Sequence, residues 1–212
     1  MNTATTVAFV VAALFAVGDW TACARANKTL EYLCKPATLA ALIAAACVLD
    51  PVGDAHSRRV WFVVALVFSL TGDVLLMLQR DLFVFGLAAF LVAHVCYVVG
   101  FWTTPPGGFA LAVSVVAVVA IVSPLARRIV RAVHHQPELR PPVIAYIAVI
   151  SAMLASALAI GNALAAIGAA LFVGSDSMIA WNRFVRPFPA AAVAIMVTYH
   201  LGQAGLVVSL VK

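Results

Sequence analysis

Charge is scarce in this chain, and the shortage excludes more than any single motif does. Lys, Arg, Asp and Glu make up 10% of the 212 residues, and none occurs between positions 82 and 126. A soluble domain carries about 25% charged residues, so a water-facing surface for the whole chain cannot be built from this supply. Cysteine is equally thin. Cys23, Cys34, Cys47 and Cys96 show no CxxC spacing and lie in or beside apolar segments, so neither a disulfide framework nor a metal site follows from them. Acidic residues number 8 against 13 basic ones, for a net charge of +5. The basic residues sit in loops between apolar runs, where they report membrane topology and contact with anionic headgroups, not a nucleic-acid surface.

Apolar sequence is abundant. With 65% hydrophobic residues and a mean hydropathy of +1.11, the chain reads as an all-α, polytopic membrane protein, because only helices whose backbone groups are internally paired, or closed barrels, cross lipid. About 20 residues cross the hydrocarbon, which divides the sequence into eight spans: residues 4–20, 36–50, 60–78, 82–102, 108–126, 142–160, 163–181 and 189–210. Only TTPPGG at 103–108 interrupts the uncharged run of 82–126, and Gly161-Asn162 splits a stretch at 141–182 that is too long for one span. The first apolar run, TVAFVVAALFAV, has no Lys or Arg ahead of it and reads as a retained span, not a leader. One integral membrane domain, 1–212, is expected.

Basic loops stay cytoplasmic. The first, third, fifth and seventh connections hold Arg25, Lys28, Lys35, Arg80, Arg127, Arg128, Arg131, Arg140, Arg183 and Arg186; the other side holds Arg58, Arg59 and Lys212. Ten against three predicts both termini outside. An internal similarity adds to the organisation. FSLTGDVLLMLQR at 68–80 lies on LFVGSDSMIAWNR at 171–183, matching Asp73 to Asp176, Gln79 to Asn182 and Arg80 to Arg183. Two readings are open: chance likeness of apolar segments, or a duplication of a four-helix unit (1–105 and 106–212) whose halves run parallel.

Asp73 is the one charged residue between positions 60 and 79. A central Asp in a membrane helix is unfavourable by roughly 2.5–3.5 kcal/mol on insertion scales, so it needs partners. The economical arrangement is one polar cavity, open to the cytoplasm, walled by spans one, two, three, four, seven and eight and receiving Asp19, Lys35, Asp73, His94, Tyr97, Asp176, Tyr199, His200 and Gln203. Each has a plain alternative. Asp73 and Lys35 would make a structural ion pair; His94 would be a hydrogen-bonded packing residue; Tyr97 and Tyr199 are ordinary inside membranes when their hydroxyls find acceptors. Asp176 is harder to dismiss, since GSDS surrounds it with small, hydroxylated residues.

The combination of Lys35-Pro36, GDVLLM, FGLAAFLVAHVCYVVGF at 85–101, ALFVGSDSMIAWNRF at 170–184 and TYHLGQAGL at 198–206 resembles the YhhN-like family of eight-span membrane proteins, whose characterised animal members are lysoplasmalogenases. That resemblance implies hydrolysis of the vinyl ether of a lysoplasmalogen to a fatty aldehyde and a glycerophospho-ethanolamine or glycerophospho-choline. On the matching motifs it points to Lys35, Asp73, His94, Tyr97, Ser175, Asp176, Asn182, Tyr199 and Gln203.

The chemistry suits the residues independently. A vinyl ether is cleaved by protonation at its terminal carbon, giving an oxocarbenium ion that water captures. An enzyme therefore needs a protonated acid and a nearby anion, and two aspartates sharing a dry site supply both. Asp73 and Asp176 are the expected catalytic pair. His94, Tyr199 and Gln203 would position water or the glycerol hydroxyl, while Lys35 and Arg183 would hold the phosphate. No metal or other cofactor is expected. A lysophospholipid and the membrane are the expected partners, nucleic acid is not. The competing reading is a proton-coupled transporter or lipid carrier, which intramembrane carboxylates and a histidine equally describe; release of aldehyde by purified protein separates the two.

Overall fold

The computed structural model describes residues 2–51, 55–78 and 80–211. Gln79 and Lys212, used in the internal comparison and the basic-residue count, lie outside the described residues. Among the described residues, eight helices are long and apolar enough to cross a membrane: α1 (Thr3–Ala24), α2 (Lys28–Val48), α3 (Ala55–Met77), α4 (Phe83–Trp102), α5 (Gly108–Ala132), α6 (Arg140–Ala159), α7 (Ala163–Ala180) and α8 (Ala191–Val208). A 3₁₀ turn, Val133–His135, extends α5, and a π-helical turn, Trp181–Val185, extends α7. The chain is an integral, multi-pass membrane protein.

The spans read from hydropathy correspond to these helices one for one, with α2 as the instructive difference. It begins eight residues before the expected start at Pro36, because the side chain of Asn27 accepts from the amide of Leu30 and caps the helix at Lys28. Pro36 therefore lies inside α2, where it removes one backbone donor. Lys35 is consequently not at a helix mouth. It is buried two turns into the bundle.

Successive helices other than α4 and α5 pack as antiparallel neighbours, and the larger contacts run α1 to α2 to α3 to α4, then α4 to α6, α6 to α7, α7 to α8 and α8 back to α1. That is a closed ring of seven helices. α8 also reaches α2 and α3. α5 stands outside the ring, making its substantial helix contact with α6 and lesser ones with the π-helical turn.

Backbone proximity welds α7 to α8. A Cβ on Gly168 would lie 2.8 Å from the Leu206 amide nitrogen and 2.9 Å from the Gly202 carbonyl oxygen, so only glycine permits the approach, as expected of small residues at membrane helix interfaces. The two arginines that stood against the charge count also have tasks in the fold. Arg58 Nε donates to the Gly100 carbonyl (3.3 Å) and an Arg59 guanidinium nitrogen to the Leu49 carbonyl (3.1 Å). They satisfy the carbonyl ends of α4 and α2, where a cation is favoured.

Candidate active site

Two buried polar clusters lie near the ends of α3 and α7. The first is built around Asp73, which is 1% exposed. Lys35 Nζ stands 3.4 Å from Asp73 Oδ1, and the Tyr199 hydroxyl donates to Asp73 Oδ2 at 2.8 Å. Gln203 Nε2 donates to the Tyr199 oxygen (3.4 Å), and the Tyr97 hydroxyl donates to Gln203 Oε1 (2.5 Å). Helices α2, α3, α4 and α8 are thus tied by one chain of hydrogen bonds. Next to it, Trp20 Nε1 donates to His200 Nδ1 at 3.1 Å, which leaves the His200 proton on Nε2.

The second cluster is built around Asp176. The Tyr146 hydroxyl donates to Asp176 Oδ2 in a short hydrogen bond. His94 Nε2 lies 2.9 Å from the Tyr146 hydroxyl and 3.3 Å from the same carboxylate oxygen. His94 Nδ1 is buried with no hydrogen-bond partner among the described residues. A buried bare acceptor is cheaper than a buried orphan N–H, so the proton belongs on Nε2, where it points at Tyr146 and Asp176.

Aromatic rings separate the clusters. Phe172 packs edge-on against His94 (centroids 4.7 Å apart) and against Tyr199 (5.3 Å), and Phe90 against Tyr199 (5.8 Å). Phe90 is pressed to α3 by Gly72, where a Cβ would come within 2.6 Å of its ring.

The cavity is elsewhere than expected. It is a narrow cavity of about 70 Å³ between α4, α5, α6 and α7, and it ends on Leu76 of α3 and Phe184 of the π-helical turn. Its walls are leucine, isoleucine, valine, alanine and phenylalanine side chains, interrupted by Asp176, Tyr146 and Ser177. The expectation of one polar cavity shared by both aspartates differs from this arrangement: Lys35, Asp73, Tyr97, Tyr199 and Gln203 pair with one another and fill their own space, apart from Asp176. Asp73 does not line the cavity; Asp176 does.

The remaining candidates separate accordingly. Arg183 lies near the mouth: its guanidinium stacks 3.9 Å from the ring centroid of Phe83, a lining residue, and reaches Asp81 at 3.3 Å. Ser175 donates to the Ile195 carbonyl (3.1 Å), joining α7 to α8. Asn182 Oδ1 accepts from the Phe188 amide (3.3 Å), closing the turn after α7. Tyr146 was absent from the sequence-derived set. Its one signal was a lone tyrosine in the otherwise apolar run VIAYIAVI. Asp19 is fully buried, and neither of its oxygens has a hydrogen-bond partner among the described residues. No group of His, Cys, Asp and Glu suited to a metal occurs among the described residues.

Residues 30–210 match the model of the YhhN family. The chain belongs to the YhhN family. Both aspartate clusters, apart from Trp20, fall inside the matched region, and α1 falls outside it. This YhhN protein is 38% identical over 173 residues to a lysoplasmalogenase of Mycobacterium tuberculosis, covering 79% of this chain and 65% of the relative. It is 36% identical over 150 residues to human lysoplasmalogenase TMEM86B (70% and 62%) and 33% identical over 148 residues to the rat protein of that name (70% and 60%). The match thus spans less than two thirds of the length of these relatives. No solved structure matches the chain.

Proposed function

We propose that the protein is a membrane-embedded hydrolase that cleaves the vinyl ether bond of a lysoplasmalogen, giving a fatty aldehyde and a glycerophospho-ethanolamine or glycerophospho-choline. The observation that carries this reading is a carboxylate, Asp176, held by Tyr146 and His94 on the wall of an otherwise hydrocarbon-lined cavity inside a membrane bundle. The relatives named lysoplasmalogenase agree with it.

The alkenyl chain lies along the apolar walls, with the glycerol toward the π-helical turn. Arg183 follows Asp176 by seven residues, about 10 Å along a helix at 1.5 Å per residue, a reach comparable to the glycerol between phosphate and vinyl ether. Arg183 takes the phosphate. Asp176 gives its proton to the vinyl carbon remote from the ether oxygen, and the electron pair of the double bond forms the new C–H bond. The resulting oxocarbenium ion faces the carboxylate just formed, an electrostatic stabilisation that a dry site strengthens. Water adds to the cationic carbon and returns a proton to Asp176. The hemiacetal then breaks its C–O bond to the glycerol, leaving aldehyde and alcohol. Tyr146 and His94 aim the carboxylate through their hydrogen bonds.

Asp73 acts from behind Phe90 and Phe172 as a positioning residue, its charge matched by Lys35 and its orientation set by Tyr199. Lys35 and the Tyr97–Gln203–Tyr199 chain hold that arrangement and do not touch the lipid. The carrier reading draws on the same intramembrane carboxylates and histidine, of which Asp176 lines the cavity and Asp73 does not. Purified protein in detergent, given a lysoplasmalogen, decides between them. Aldehyde release, lost in Asp176→Asn, supports the hydrolase; binding without aldehyde supports the carrier.

A further inference from the structure

The cavity that holds Asp176 has a counterpart on the outside of the bundle. A groove of about 740 Å³ runs between α5 and α6, lined by Val115, Val119, Val122 and Val130 of α5 and by Ala148 and Ala152 of α6, with Arg127 and Arg131 at one end. Val122, Ala126 and Ile147 line both the groove and the inner cavity. The wall between them is therefore one side chain thick.

We propose that this groove is a binding site for a single-chain phospholipid and that the seam between α5 and α6 is the sideways entrance from the bilayer to the cavity. The inference rests on the hydrolase reading, which makes a single-chain lipid the substrate. Four observations support it. First, the groove is apolar apart from Ser123, Ser151 and the arginine end, and Arg127 and Arg131 are exposed one helical turn apart, the complement of one lipid phosphate. Secondly, that end lies on the same side of the bundle as Arg183, so a lipid in the groove and a lipid in the cavity have their headgroups at one level. Thirdly, residues 115–131 span about 24 Å at 1.5 Å per residue, more than one leaflet of the roughly 30 Å hydrocarbon. Fourthly, α5 is the helix outside the ring, and Pro124 lies within it between Val122 and Ala126. Proline breaks the hydrogen bond to the carbonyl four residues back, so the helix bends most easily at the level of the thin wall.

The test uses the full-length protein in nanodiscs with a lysophospholipid that carries a diazirine in its chain. Photolabelling is expected on peptides from α5 and α6 within 115–131 and 144–155, competed by unlabelled lysophospholipid but not by diacyl lipid, and reduced roughly tenfold in Arg127→Gln/Arg131→Gln, as loss of two charge-assisted phosphate contacts predicts. Equal competition by diacyl lipid means ordinary annular lipid and overturns the proposal. So does a cross-linked dimer seated on this face. In parallel, Ala152→Phe fills the groove without lining the cavity and should lower the ratio of kcat/KM for a long-chain over a short-chain alkenyl substrate roughly tenfold. Ala148→Leu provides a second, milder filling should Ala152→Phe lower Tm. Active protein with an unchanged ratio in both variants overturns the entrance while the hydrolase reading stands. Specific labelling of a protein that releases no aldehyde keeps the lipid site and overturns the hydrolase reading.

Discussion

Asp73 and Asp176 sit near the ends of α3 and α7, each as the sole acid of its helix, and their surroundings differ in kind. Asp73 is closed in, with an ammonium group 3.4 Å away and a tyrosine hydroxyl at 2.8 Å. Asp176 keeps 11% of its side chain exposed, to an apolar cavity, and has a tyrosine and a histidine as partners. An ion-paired carboxylate already has its counter-charge, and a cation arriving nearby gains little from it. A carboxylate held by a hydroxyl and an imidazole is oriented, yet still able to carry a proton or face a new positive charge. The same residue type serves two ends, and the partner decides which.

That contrast is best attacked by removing each charge while keeping its shape. Asp176→Asn should lower kcat for aldehyde release by roughly 10³-fold, within the range typical of a lost general acid, with Tm little changed. Asp73→Asn should act chiefly on stability: it leaves Lys35 buried without its counter-ion, a loss of about 3–5 kcal/mol for such a pair, read as a fall in Tm. Lys35→Met added to it should restore much of that Tm, since a neutral pair replaces an orphaned charge. A stable Asp73→Asn protein more impaired in kcat than Asp176→Asn would reverse the assignment of roles. Arg183→Gln should raise KM roughly tenfold with kcat nearly constant, as loss of a binding contact present in both ground and transition states does. Tyr146→Phe should lower kcat by roughly tenfold, the worth of one hydrogen bond to a charged group. Tyr199→Phe, its counterpart in the other cluster, should cost about 1 kcal/mol of stability and leave kcat near the parent value. Parallel effects of the two tyrosine changes on kcat would erase the distinction.

The fold was legible because lipid imposes a coarse code. Uninterrupted apolar runs, TTPPGG and Gly161-Asn162 placed all eight helices. Where the code failed, at α2, the cause was local: KTLEYLCK is too polar to register as membrane-spanning, yet Asn27 caps it into the same helix as the apolar run beyond Pro36. The site was half legible. Charged residues in spans announce themselves, which brought Asp73, Asp176 and Lys35 forward. The Asp73–Lys35 ion pair was one of the readings and is present at 3.4 Å; the separation of Asp176 from it was not announced, since that depends on which helices adjoin and on Phe90 and Phe172, which read in sequence as ordinary apolar residues. Tyr146 was hidden for the same reason: its importance comes from Asp176, 30 residues away on a neighbouring helix. We propose a duplication of the four-helix unit still; the contact of α4 with α6 and that of α2 with α8 are a pair such a symmetry would relate. Outward-facing termini remain likewise a proposal, supported by the tasks found for Arg58 and Arg59.

The glycine weld between α7 and α8 has a mechanical consequence. With Gly168 and Gly202 in backbone contact, no sliding or rolling of these two helices is possible without collision, so the side of the bundle that carries Asp176 and Tyr199 is stiff. Compliance is left to α5, which stands outside the ring and leans on α6 and the π-helical turn alone among the larger contacts. A molecule with one rigid and one yielding side keeps its reactive carboxylate registered while the flank breathes, and its slowest-exchanging amides should trace the weld.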